Sequence, residues 1–144
     1  MDADRNRETV LRAFDAFNQR DFATVLELLS EDFVTHVIPE ELNLGNDRQA
    51  QVQFQQMNAN AFPDLRMELH QVVAQDDVVA ARGRMIGTHQ GELMGIPASG
   101  NTIAVEVGDF LRLDDDGNIV EYWSIMDTLA FMQQLAASGE EADD

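Results

Sequence analysis

The stretch Thr102–Leu113, TIAVEVGDFLRL, followed by DDDGN over 114–118 and IVEYWSIM over Ile119–Met126, decides the fold. Ile103, Val105, Val107 and Leu111 fall at every second position or a multiple of it. That is the period of a strand with one buried face. Asp116-Gly117 is a tight-turn signal, because glycine takes positive φ without steric penalty. The two runs therefore read as an antiparallel hairpin. Working backwards, Gly91 to Gly100, with Pro97, reads as a long hairpin connection. Before it, Val78 to about Gln90 and Leu65 to Gln75 are two further strands that turn at Asp76-Asp77. Four strands in a row make an antiparallel meander.

Upstream the period changes to that of helices. Arg5 to Gln19 places Val10, Leu11, Phe14 and Phe17 on one stripe. Asp21 is an N-cap for a second helix through Phe22, Val25, Leu26, Leu28 and Leu29. Phe33 to Ile38 is rich in β-branched residues and ends at Pro39. Asp47 caps a third helix from Arg48 to about Asn60, which Phe62-Pro63-Asp64 stops. A short helix over Thr128–Ala136 closes the chain. The order α-α-β-α-β-β-β-β-α, helices first and then a meander, predicts an α+β fold. The length suits one domain over 1–137. The tail over 138–144 is too acidic and too small to pack, so it is expected to be disordered.

Twenty-seven acidic residues oppose nine basic ones, all arginine, for a formal charge of -18. Nucleic acid and anionic membranes are therefore not expected partners, since both need clustered positive charge. Acid at this density fits a salt-tolerant source, or simply an acidic protein from a genome that prefers arginine over lysine. With no cysteine, disulfides and thiolate metal sites are excluded. No apolar run reaches the roughly 18 residues of a membrane span. The opening Met1-Asp2-Ala3-Asp4-Arg5 does not read as a signal peptide, so a cytoplasmic location is expected.

Few residues carry obvious chemistry. His36, His70 and His89 are far apart and lack a paired ligand spacing, so a metal site is not expected. Along the last strand, alternation puts Glu121, Trp123, Ile125 and Asp127 on one face. Apolar neighbours there would desolvate the Asp127 carboxyl and tune it for acid/base work. Asp127 before Thr-Leu-Ala-Phe is equally an N-cap. His89 is placed to polarise a substrate carbonyl, or to hydrogen-bond within the hairpin. Arg82 lies in an apolar strand and needs a carboxylate such as Glu121 or Asp127, or a substrate ester, if buried. Trp123 reads as pocket wall or core, and His36 as a residue of the cavity mouth. Met85, Met94 and Met126 suit an adaptable apolar cavity or ordinary packing. Asp64 reads as a turn residue.

Read in order, Phe62-Pro63-Asp64, Val79-Ala80-Ala81-Arg82, Gly87-Thr88-His89-Gln90-Gly91-Glu92-Leu93, Gly95-Ile96-Pro97-Ala98-Ser99-Gly100, Asp116-Gly117-Asn118-Ile119-Val120-Glu121-Tyr122-Trp123, Asp127 and Gln134-Leu135 resemble the SnoaL-like polyketide cyclase family over nearly the whole chain. That resemblance implies a cone-shaped curved sheet of the nuclear-transport-factor-2-like kind. It also implies intramolecular aldol closure on a polyketide ester without metal or cofactor. Asp127 matches the family's acid/base aspartate; His89 would assist it, and Arg82, Trp123, His36, Met85 and Phe62 would bind a small apolar carbonyl substrate. Ketosteroid isomerase and limonene epoxide hydrolase share the fold, so a non-catalytic binding domain and a hydrolase or isomerase are the alternatives. The family often has an aromatic residue after this arginine. Gly83 stands there instead and is expected to widen or reshape the cavity wall. Folds of this kind commonly dimerise through the outer sheet face, and a homodimer is expected. The alternation of Ile103, Val105 and Val107 would permit that contact, although a core would need the same residues.

Overall fold

A computed structural model describes residues 2–137; the tail expected over 138–144 lies outside the described residues. The elements are α1 (Ala3–Asn18), α2 (Phe22–Leu28), β1 (Leu29–Thr35), a 3-10 turn at Glu40–Leu42, α3 (Arg48–Ala61), β2 (Arg66–Gln75), β3 (Val78–Thr88), β4 (Thr102–Leu113), β5 (Ile119–Met126) and α4 (Thr128–Ala136). Among the described residues, all four α-helices begin on aspartate. Asp2, Asp21, Asp47 and Asp127 each accept a hydrogen bond from the backbone N–H three residues on. Each cap satisfies an orphan donor, worth about 1 kcal/mol. It also sets a negative charge on the positive end of the helix dipole. Part of the chain's acidity is therefore structural.

The five strands form one open sheet in the order β1-β5-β4-β3-β2. The meander β2 to β5 is antiparallel, while β1 joins the edge of β5 in parallel. The first strand begins four residues before the predicted Phe33, and α2 stops at Leu28 rather than Leu29. Leu28-Leu29 continues the helical stripe in sequence. Leu29 is nevertheless extended, pairs with Ile119 and is buried. Pairing across about ninety residues overrides a local period.

On β4, Ile103, Val105, Val107, Leu111 and Leu113 are buried on the inner face. Ile103, Val105 and Val107 belong to the core, so they cannot serve an outer-face dimer contact; the outer face instead exposes Val73, Phe110 and Ile125. The helices cover the inner face. Val10, Phe17, Val25 and Leu28 join Leu29, Phe33, Leu111, Leu113 and Ile119 in one apolar cluster. Asn18 fixes α1 to the sheet edge. Its side-chain amide donates to the Met67 carbonyl at 3.0 Å, and its oxygen accepts from the Met67 N–H at 2.8 Å. Asn6 likewise donates to the Asp76 carbonyl at 3.1 Å. Each such bond stabilises by roughly 1 kcal/mol, and the Asn18 pair closes backbone groups that the edge strand β2 leaves open.

Candidate active site

Between the helices and the inner sheet face lies a cavity of about 520 Å³, within the usual size for a small-molecule site. Its walls are overwhelmingly apolar. Every methionine after Met1 lines it, with Phe14, Phe17, Phe33, Phe54, Phe62 and Phe131. Unbranched thioethers adapt to irregular shapes and contact aromatic edges favourably.

Strand parity selects the polar groups that enter this space. Leu111 pairs with Tyr122, Asp109 with Ser124 and Val107 with Met126. The even-numbered side chains of β5 therefore face inward beside the odd-numbered ones of β4. Asp109, Tyr122 and Ser124 meet on the cavity wall. Asp109 is only 4% exposed, and its Oδ1 has no hydrogen-bond partner among the described residues. Burial pushes its carboxyl up to about 6, against the opposing pull of hydrogen bonding with Ser124 and Tyr122. Removing a carboxylate from water without a cation penalises the charged form. Burial, and then the adjacent Asp109, raise the Tyr122 phenol well above its ordinary value, which keeps it a proton-bearing donor.

The structure disperses the residues singled out from sequence. Phe62 and Met85 line the cavity. Asp127 does not: it is exposed, and its Oδ1 accepts from the Ala130 N–H at 3.0 Å as the α4 cap. Trp123 lies on the outer face opposite Phe110. There it stacks on His36 with ring centroids 5.1 Å apart and lies under the Arg112 guanidinium. His36 is consequently an outer-face residue, bonded through Nε2 to Glu121 Oε2 at 2.8 Å. Arg82 is exposed opposite Gly108, on that same outer side. Neither His36, Trp123 nor Arg82 lines the cavity.

His89 sits behind the wall, wholly buried and stacked on Phe62. Its Nδ1 lies 3.0 Å from Ser99 Oγ and accepts from the Ser99 N–H at 3.2 Å. That leaves the ring proton on Nε2, which is buried without a partner. Asp64 accepts from the Thr88 N–H and hydroxyl at 2.7 and 2.8 Å, which lowers its carboxyl below the ordinary value. It is a turn-fixing residue. Gly83 does not widen the wall, because a Cβ there would lie 2.0 Å from the Glu68 carbonyl oxygen. Close backbone approach requires glycine at this point, where β2 carries a register shift between Leu69 and Gln71.

The family model described as SnoaL-like polyketide cyclase matches residues 8–135. The chain belongs to the SnoaL-like polyketide cyclase family. Among solved SnoaL-like structures, IdmH from Streptomyces antibioticus, a polyketide cyclase candidate, is 30% identical with a TM-score of 0.77, covering 92% of this chain and 99% of its own. A SnoaL-like polyketide cyclase from Jannaschia sp. CCS1 is 26% identical at TM-score 0.79, covering 94% of each chain. AclR from Streptomyces galilaeus, described as a candidate hydroxylase, is 26% identical at TM-score 0.78, covering 92% of this chain and 96% of its own. No curated protein matches the sequence. The fold is the nuclear-transport-factor-2-like one with its sheet left open. Within it, a cyclase candidate and a hydroxylase candidate stand side by side, so the reaction is set by the site and not by the cone.

Proposed function

We propose that this SnoaL-like protein is a cofactor-free acid/base enzyme acting on a small, largely apolar carbonyl compound, with Asp109 as the proton carrier. The observation that carries this reading is a lone carboxyl buried in the wall of an apolar cavity, where burial pushes it up to about 6. Near neutral pH such a group is mostly ionised yet poorly solvated, the state a general base needs. In the aldol direction, Asp109 takes a proton from the carbon beside a carbonyl, and that C–H electron pair becomes the enolate. The enolate carbon bonds to a second carbonyl carbon of the same molecule. The electron pair released onto that carbonyl oxygen then takes the proton back from Asp109. One carboxyl serves both transfers, and the atoms balance without an added reactant. Tyr122 and Ser124, as hydroxyl donors beside it, support the oxygen that gains charge.

The test is exchange of the α-protons of 2-tetralone, an apolar bicyclic ketone, into D2O, followed by proton NMR. Wild type is expected to accelerate exchange with a rate that rises as pH passes through about 6, because the basic form does the work. Asp109→Asn is expected to lose about 10²–10⁴-fold, while Asp127→Asn retains the activity. Undiminished exchange in Asp109→Asn removes Asp109 from the mechanism. Loss in Asp127→Asn alone returns the role to the helix cap.

A further inference from the structure

The cavity has a second polar wall that the proton chemistry does not use. On α3, Gln51, Gln55 and Asn58 stand at positions i, i+4 and i+7 and all line the cavity, with Phe54 and Met57 between them. This spacing keeps the three amides on one helix face. α3 packs chiefly on β1 and α2, whereas Asp109 rises from β4. The two polar groups therefore belong to different walls. Gln51 is 5% exposed. The side-chain oxygens of Gln51 and Gln55 are both buried without a hydrogen-bond partner among the described residues.

Buried amide oxygens without a donor destabilise a fold, and native chains rarely keep two side by side. The fold does not need these amides. Leucine or methionine of similar length would fill the same wall and match its apolar neighbours. Retaining glutamine at both positions is explained if a ligand completes them. An oxygen that accepts requires a partner that donates. Beside an ionised Asp109 in an apolar space, an anionic partner is disfavoured.

We propose that Gln51 and Gln55, continued by Asn58, form a hydroxyl-recognition stripe, so that the substrate is a neutral carbonyl compound bearing a hydroxyl donor at the end remote from its reacting carbon. The stripe positions the molecule by that hydroxyl and leaves its ketone end to Asp109. The assignment of ends rests on the acid/base reading of Asp109; the binding of the hydroxyl does not.

The test compares 2-tetralone with 6-hydroxy-2-tetralone, which adds one hydroxyl at the far ring. Affinity is measured by calorimetry on the full chain, and α-proton exchange by NMR. Wild type is expected to bind the hydroxylated ketone about tenfold more tightly, the worth of one hydrogen bond made to an otherwise unpaired buried group. Gln51→Leu/Gln55→Leu is expected to abolish that preference in binding. Because it removes two unpartnered acceptors, the free double variant should also melt no lower than wild type; an amide with a structural role would melt lower. Gln51→Met/Gln55→Met repeats the comparison with unbranched side chains. Equal affinities in wild type, binding of neither ketone, or a preference that survives both double variants overturns the proposal. Asp109→Asn separates the two readings: it should lose exchange of both ketones and keep the tenfold preference in binding. If instead exchange persists there while the glutamine variants lose the preference, the stripe stands and the acid/base reading falls.

Discussion

Asp109→Asn is expected to make the chain more stable above pH 6, even as it disables the proposed chemistry. The carboxyl titrates at about 6 in the folded chain against an ordinary 3.8. Because the folded value is raised, protonation favours the fold. The associated stability is fully present below 3.8 and is lost as pH rises through 6. Above that range the ionised carboxyl burdens the fold by on the order of 3 kcal/mol, taking about 1.4 kcal/mol for each of roughly two pH units. Asparagine is similar in shape and carries no charge. The melting temperature of the variant should exceed that of wild type by roughly 5–10 °C at pH 8. The gap should close towards pH 4, where both side chains are neutral. Measuring the difference between the two proteins at each pH cancels the titration of the other acidic groups, which both share. A gap that is independent of pH, or a variant less stable at pH 8, contradicts a destabilising buried charge. A site that stores free energy in this way trades stability for function.

The second large effect is expected at Gly83. A Cβ built there would meet the Glu68 carbonyl oxygen at 2.0 Å, the Glu68 carbonyl carbon at 2.9 Å and the Leu69 Cα at 3.0 Å. All three are backbone atoms of the paired strand, so no rotamer change relieves them. β2 would have to move away from β3, breaking ladder hydrogen bonds on either side of its register shift. Gly83→Ala should therefore cost at least about 2 kcal/mol in urea unfolding. Gly108 on β4 is the matched control. It too lies in a sheet interior, but a Cβ there has no atom within 4 Å. Gly108→Ala should change stability by no more than about 0.5 kcal/mol. Similar losses at both positions would show that glycine's backbone freedom, and not the close strand approach, governs Gly83.

Most of the architecture was readable because its signals are local. The aspartate caps, the period-2 run of β4 and the Asp116-Gly117 turn each carry a short-range physical cause. The site was harder because it depends on which face of β5 turns inward. Tyr122 and Trp123 are both aromatic, and Met126 and Ile125 are both apolar, so composition does not choose between the faces. Choosing the Trp123 face selected Asp127, which the structure shows to be an exposed cap. The hairpin turn alone did not supply the answer. The Gly117 N–H donates to the Asp114 carbonyl and the Asp114 N–H to the Asn118 carbonyl, so Asp114 faces Asn118. A register shift between Arg112 and Leu113 then sets Leu111 opposite Tyr122 and Asp109 opposite Ser124. With Leu111 inward, Tyr122 and Ser124 must be inward too, since a one-residue slip reverses every side chain. Asp109 also interrupts the inward series Ile103, Val105, Val107, Leu111 as its one charged member. A carboxyl in a buried apolar stripe is informative in itself. The stripe on α3 left a fainter trace. Glutamine is common on exposed helix faces, and only the packing of α3 against β1 and α2 turns Gln51 and Gln55 inward.

The most direct test of the account is the titration of the Asp109 side-chain carboxyl, followed by its carbon-13 chemical shift in the free protein, with Asp109→Asn used to assign the signal. The expected midpoint is about 6, which marks a desolvated acid/base facing the cavity. A midpoint at or below the ordinary 3.8 would mean a well-solvated or ion-paired carboxylate, and Asp109 could not be the proton carrier.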